Sequence, residues 1–193
     1  MNIRHIAAAL PIVAVAVSMP GSGALAATSH ANEAAARRPF GPACSAVPST
    51  GKGSFSGMAA DPVATAASHN PALSTLVTAV KKAGLVDTLN SADGITVFAP
   101  TNQAFAKLGR KTLNKVLANR KTLTSILTYH VVAGRKTPTD LKSGSFTTLQ
   151  GSKITTTGSG ATYRVNNAKV VCGDVPTRNA TVYIVDTVLM PPR

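Results

Sequence analysis

The pair Tyr129-His130 has more chemistry to offer than any other in this chain. A histidine acting as a general base needs a nucleophile to deprotonate and a second group to orient its ring. As a metal ligand it needs further His, Cys or carboxylate donors close by. The sequence around His130 supplies neither. Val131 and Val132 follow it, so the ring is expected to sit hydrogen-bonded in or beside an apolar core, with direct contact to a partner as the alternative. Tyr129 carries the same two readings, because its ring can fill a core while its hydroxyl reaches a polar group. Asp186 stands in an apolar run. An unpaired carboxylate there would be costly, so it should accept hydrogen bonds from backbone or hydroxyl donors. Ser68-His69 with a distant carboxylate spells a triad only on paper, since a triad is defined by geometry. There is no nucleophile elbow and no glycine-rich phosphate loop. These residues spell no catalytic site, no metal site and no cofactor site, and a small secreted hydrolase with His130 in a cleft beside a nucleophile and a carboxylate is the alternative.

Two further groups of residues carry physical consequences. Cys44 and Cys172 are the two cysteines, and they show neither CxxC nor metal-ligand spacing. An even count in an exported chain favours a disulfide between them, with two unpaired thiols as the alternative. The closed loop would be long, so chain entropy allows about 4–5 kcal/mol, less any strain. The charge is lopsided, with 20 Lys and Arg against 7 Asp and Glu and a formal net charge of +13. Lys107, Arg110, Lys111, Lys115, Arg120 and Lys121 form a basic run with no acid between them. Lys111 and Lys115, four apart, share a helix face. The run is either a solvated face or a footprint for polyanions. Outside the cytoplasm those would be anionic glycans, cell-wall polymers or lipid headgroups rather than nucleic acid.

The compartment is read from the first residues. Arg4 and His5 form a positive start, residues 6–17 are apolar apart from Pro11, and residues 20–23 break any helix. Ala24-Leu25-Ala26 then offers the small residues at −3 and −1 that signal peptidase needs. This order predicts a secretory signal over residues 1–26, too short to anchor in a membrane. The first cysteine, Cys44, is too far downstream for lipidation at the cleavage site. Residues 27–56 are rich in Ala, Ser, Gly and Pro and read as a flexible lead-in pinned by Cys44. Residues 57–193 are one domain's worth of chain. Its core must be aliphatic, because there is no Trp.

Within that domain the pattern is helical first and β later. Asp61-Pro62 and Asn70-Pro71 pair a capping side chain with proline at the first helical position. Leu73, Leu76, Val77 and Val80 fall on one helical stripe, and Gly84 is placed to close it. Residues 95–99 read as a strand ended by Pro100. Thr101 caps a short helix carrying Phe105 and Leu108. Leu113, Val116 and Leu117 mark the next helix, and Leu123, Ile126 and Leu127 a third. Residues 129–133 read as a strand. Turn signals at Gly151-Ser152, Gly158-Ser159-Gly160 and Asn166-Asn167 separate segments 146–150, 153–157, 161–165 and 168–172, an antiparallel meander. The final strand, residues 180–189, is apolar on both faces and should be central. The whole is α+β. Asn179-Ala180-Thr181 is a glycosylation sequon at a strand edge, and no glycan is expected on it.

Three segments together resemble a known family: TVFAPTNQAF at 96–105, ILTYHVV at 126–132, and NATVYIVDTVLMP at 179–191. They are similar to the two boxes and central Tyr-His motif of the fasciclin (FAS1) domain, in the family's order and spacing, over about residues 57–193. The likeness is greatest to secreted single-domain members from mycobacteria, which also pair an early cysteine with a late one. In the last box Ala180 stands where the family often has Gly, and Tyr183 where it often has His. The resemblance implies a β-sandwich or wedge flanked by α-helices in the N-terminal half. It implies a secreted, non-catalytic adhesion or interaction module, in this case a monomer with an extracellular protein or glycan as partner. Some animal members have integrin binding linked to the Tyr-His region, which carried over points to Tyr129 and His130.

Overall fold

The computed structural model describes residues 38–192. The expected signal peptide with cleavage near Ala26, and the part of the lead-in before residue 38, lie outside the described residues.

The first half is a layer of short helices: α1 Phe55–Ala60, α2 Val63–Ser68, α3 Ser74–Ala83 and α4 Val86–Ser91, followed after the first strand by α5 Asn102–Lys107, α6 Arg110–Ala118 and α7 Arg120–Tyr129. In α3 the apolar spacing buries Leu76, Ala79, Val80 and Ala83, and Gly84 closes the helix in the left-handed region at φ 72°. Lys81 and Lys82 sit in its last turn, where cations favour the helix dipole. A 3₁₀ turn, Pro71–Leu73, leads into it. Helix α4 has no counterpart in the sequence reading. Six residues with few helix formers show little periodicity, and its ends are fixed from elsewhere in the fold.

The strands are β1 Ile95–Pro100, β2 Val131–Ala133, β3 Ser143–Thr147, β4 Lys153–Ser159, β5 Thr162–Val165, β6 Ala168–Pro176 and β7 Ala180–Val185. They form one sheet in the order β2-β1-β7-β6-β5-β4-β3. All neighbours are antiparallel except β1 and β7, which run parallel with Ile95 opposite Ala180. The sheet curls until its ends meet. Thr148, just beyond β3, bridges Val132 in β2, and the Leu149 amide donates to the Val131 carbonyl at 2.8 Å. The meander is as expected, with strand ends displaced by a few residues.

Two strand boundaries need correction: the last strand, expected over residues 180–189, ends at Val185. The sequence reading starts a strand at Tyr129, but Tyr129 is the last residue of α7 and the strand begins at Val131. Leu123, Ile126 and Leu127 face the helix–sheet core while Tyr129 packs in the other core, and its hydroxyl bonds to Lys153 and Asn166 hold it at the helix end against local β propensity.

Two cores result. Between the helices and the sheet lie Leu76, Val80, Phe105, Ile126, Leu127, Val182 and Ile184. Inside the curl lie Phe98, Tyr129, Ile154, Tyr163, Tyr183 and Val185. Successive residues of β7 point into opposite cores, and every one is buried, as expected for a central strand.

Packing reaches further upstream than the expected domain start at Gly57. Phe40 exchanges both backbone hydrogen bonds with Gly173, at 3.1 and 2.7 Å, and its ring lies 5.1 Å from that of Tyr163. A 3₁₀ turn at Pro42–Ala46 carries Cys44, which forms a disulfide with Cys172. Both flanking glycines are required. A Cβ on Gly173 would strike the Phe40 ring, and Gly41 combines φ 114° with close approach to the Val171 carbonyl. Residues 38–54 thus acquire their structure from β6, which local composition cannot reveal.

The disulfide closes a loop spanning 128 residues. Replacing both cysteines, Cys44→Ser with Cys172→Ser, should therefore lower stability by up to about 5 kcal/mol. The shift of the urea midpoint measures it, and the sheet core should still form.

Candidate functional site

The residues of the three motif segments were the candidates for chemistry, and the fold commits them to holding elements together. In the first, Thr96 Oγ1 donates to the Gly134 carbonyl and accepts from the Lys136 amide, both at 2.7 Å. Thr101 Oγ1 accepts from the Ala104 amide and so caps α5. Asn102 reaches away from its own helix. Its Oδ1 accepts from the Thr75 amide at 2.9 Å and its Nδ2 donates to the Pro71 carbonyl at 2.9 Å, which caps α3.

Tyr129 and His130 are both buried, each 2% exposed. The Tyr129 hydroxyl donates to the Lys153 carbonyl at 3.1 Å and accepts from Asn166 Nδ2 at 3.0 Å, which ties α7 to the meander. At the end of α7 the His130 amide bonds to the Leu127 carbonyl, one residue short of the regular helical partner. The Ile126 carbonyl would then be orphaned. His130 Nδ1 takes it at 2.8 Å, and Nε2 accepts from the Leu189 amide at 3.0 Å. Those two partners select the neutral ring protonated on Nδ1. Burial drives its pKa down to about 4, against a smaller upward pull from the Ile126 hydrogen bond. Both ring nitrogens are spent on backbone, so His130 faces neither a nucleophile nor a carboxylate. Neither Tyr129 nor His130 reaches the surface on which a partner would dock.

Asn179, 8% exposed, binds four backbone groups. Its Oδ1 accepts from the Val63 amide at 2.8 Å, at the start of α2. Its Nδ2 donates to the carbonyls of Leu89, Asn90 and Ala92 at 2.8, 3.3 and 2.6 Å, at the end of α4. This is the cap that Asp61 was expected to supply. The sequon carries no glycan in this fold, because Nδ2 is buried among three backbone carbonyls and a sugar there would displace them. Sequence offers one faint signal of the role, a polar amide at the entry to a wholly apolar strand. It carries no hint of partners 87 to 116 residues away.

Asp186 behaves as its setting demands. Burial would raise its carboxyl, but the Lys169 amide, the Thr187 hydroxyl and the Lys107 ammonium together hold it below the ordinary carboxylate value. The Lys107 Nζ to Asp186 Oδ2 distance is 3.2 Å. Lys107 is therefore part of an ion pair and not of a free basic face. Arg120 is also committed in part. Its Nε donates to the Ala83 carbonyl at 3.1 Å, where a cation suits the C-terminal end of α3. Arg110, Lys111, Lys115 and Lys121 are exposed and pair with no acid among the described residues. The Arg120 contact also brings Lys81 and Lys82 to the same end of the helix layer as Lys121.

Short helices on a curled sheet, with motif residues spent on interhelix caps, define a domain of α+β class. The chain belongs to the fasciclin domain family, whose profile matches residues 71–191. It is 49% identical to immunogenic protein MPB70 of Mycobacterium bovis over 191 residues, covering 96% of this chain and 93% of that protein. It is 54% identical to cell surface glycolipoprotein MPB83 of the same species over 148 residues, 74% of this chain and 66% of the other. The fold is also that of a FAS1 domain pair from the insect cell adhesion molecule Fasciclin I, with a TM-score of 0.60 at 21% identity over 70% of this chain and 52% of that one. No described helix is long and apolar enough to cross a membrane.

Two outcomes test these roles. Asn179→Ala leaves buried backbone groups at α2 and α4 without partners and should cost about 3 kcal/mol, read as a lower urea midpoint. The second concerns pH. The folded His130 pKa of about 4 lies below the unfolded value of 6.5. Between those values the unfolded chain binds a proton that the folded chain refuses, so this stability is complete above pH 6.5 and falls as pH drops towards 4. The full span is worth on the order of 3 kcal/mol. His130→Phe should be less stable at neutral pH but show a flatter stability profile across that window.

Proposed function

We propose that this chain works outside the cytoplasm as a non-catalytic adhesion or host-interaction module, and that it meets its partners through the basic end of its helix layer. The carrying observation is the contrast between two sets of candidates. Tyr129 and His130 are buried with their side-chain polar atoms engaged, whereas Arg110, Lys111, Lys115 and Lys121 stand exposed with no counter-ion among the described residues. Lys81 and Lys82 extend the basic set. The names of the relatives support an extracytoplasmic setting, one being a cell surface glycolipoprotein and another an immunogenic protein. The suitable partners are anionic glycans, envelope polymers or a membrane surface rich in anionic lipid. The expected signal peptide gives the route of export.

Binding to heparin and to anionic phospholipid vesicles, from low to high salt, tests this. Affinity should fall steeply as salt rises. At about 1 kcal/mol per cation near an anionic surface, replacing Arg110, Lys111 and Lys115 together by Glu should weaken vesicle binding at least a hundredfold. Tyr129→Phe should leave it unchanged. Equal binding by the triple variant would refute the basic-face reading. Salt-resistant binding to one matrix protein, untouched by the triple variant, would favour a specific receptor surface instead.

A further inference from the structure

Between the helix layer and the sheet lies a cavity of about 220 Å³. Protein interiors carry few voids larger than a water molecule, and an apolar cavity of roughly 150 Å³ is enough to admit benzene. This one is walled by α2 and α3 on one side and by β1 and β7 on the other, with Ala66, Leu76, Val80, Val97, Val182 and Ile184 among its lining.

The few polar side chains on the wall are already occupied. Thr65 Oγ1 accepts from Asn90, the Ser68 hydroxyl donates to the Thr65 carbonyl, and Asn70 Oδ1 accepts from the Ala72 amide. The Thr177 hydroxyl donates to the Ala180 carbonyl, and both His130 nitrogens are bonded to backbone. A bound water needs two to four polar partners, so such a wall suits hydrocarbon. One charged residue lines the cavity, Lys81. It is exposed, pairs with no acid among the described residues, and can lay its aliphatic stem along the wall with the ammonium in solvent. The carbonyls at the end of α3 would repel an anion beside Lys81, but Arg120 covers that of Ala83.

We infer that this cavity binds one aliphatic chain bearing a carboxylate, a medium-chain fatty acid, with the chain between α2–α3 and the sheet and the head on Lys81. The site shares Lys81 with the basic face but uses none of Arg110, Lys111 and Lys115.

Calorimetric titration of the disulfide-bonded mature protein with octanoate, decanoate, dodecanoate and decanol, all below their micellar concentrations, tests this. One saturable site is expected. Affinity should rise roughly fourfold per methylene and then level off once the cavity is full. Lys81→Glu, at an exposed position, should weaken decanoate about tenfold or more and leave decanol unchanged. Ala66→Leu, which fills the cavity, should abolish both. The Arg110, Lys111 and Lys115 triple variant should bind decanoate as the parent does, whatever it does to heparin. The inference is overturned by absence of saturable binding to the parent protein, by affinity that climbs with chain length without levelling, or by a Lys81→Glu effect equal for decanoate and decanol. Should Ala66→Leu fail to fold, the chain-length series and the Lys81→Glu contrast still decide.

Discussion

A strand apolar on both faces has to be covered on both faces, and β7 imposes that demand on the whole chain. Ala180, Val182 and Ile184 point to one side, Tyr183 and Val185 to the other. Sheet alternation leaves no way to turn both sets into a single core. The helices of the first half cover one side. The meander covers the other by curling, and Thr148 and Leu149 meet β2 to close it. The parallel pairing of β1 with β7 follows from the same demand, because a parallel pair must be bridged by a long crossover. Here that crossover contains α5, α6, α7 and the meander, so both covering layers are supplied by one chain topology.

The helices that do the covering are short, six to ten residues each. Helices of that length are marginal alone, because nucleation is costly and most of their backbone groups lie at the ends. The fold answers with side-chain amides from distant segments. Asn102 caps α3, Asn90 bonds the Ala64 amide in α2, and Asn179 joins the start of α2 to the end of α4. At the end of α7 the ring of His130 does the same work for the Ile126 carbonyl. An amide or a neutral imidazole suits such places. Each donates and accepts without bringing a charge into the core, where desolvation would oppose it.

This explains which features could be read from sequence. The helical stripe from Leu73 to Val80, the Gly84 cap, the Thr101 cap and the meander turns are local and periodic, and all were legible. So was the two-faced burial of the last strand. The end of α7 was misread because Tyr129, Val131 and Val132 have β propensity, while the contacts that keep Tyr129 helical come from Lys153 and Asn166. Helix α4 and the strap at Phe40 were missed for the same reason, since what fixes them is Asn179 in one case and Gly173 in the other. The pairing of Lys107 with Asp186 spans 79 residues, so a basic run that looked unbroken along the chain is broken in space.

A division of labour follows from these allocations. Residues that make the sequence recognisable as fasciclin are consumed by the fold, so likeness to relatives transmits architecture and says little about partner choice. What remains for recognition is the surface charge and the helix–sheet cavity. Unpaired surface cations attract any polyanion at long range and raise its rate of encounter, but they discriminate poorly between polyanions. Shape and apolar complementarity discriminate better, because a misfit leaves voids or unpaired polar groups. The neutral state of His130 keeps charge out of the cavity near neutral pH. A charged imidazolium beside the cavity would attract anions to its interior, whereas the neutral ring leaves the charge on Lys81 at its mouth. On the proposed reading, long-range attraction would fall to the basic end of the helix layer and discrimination to the space beneath it.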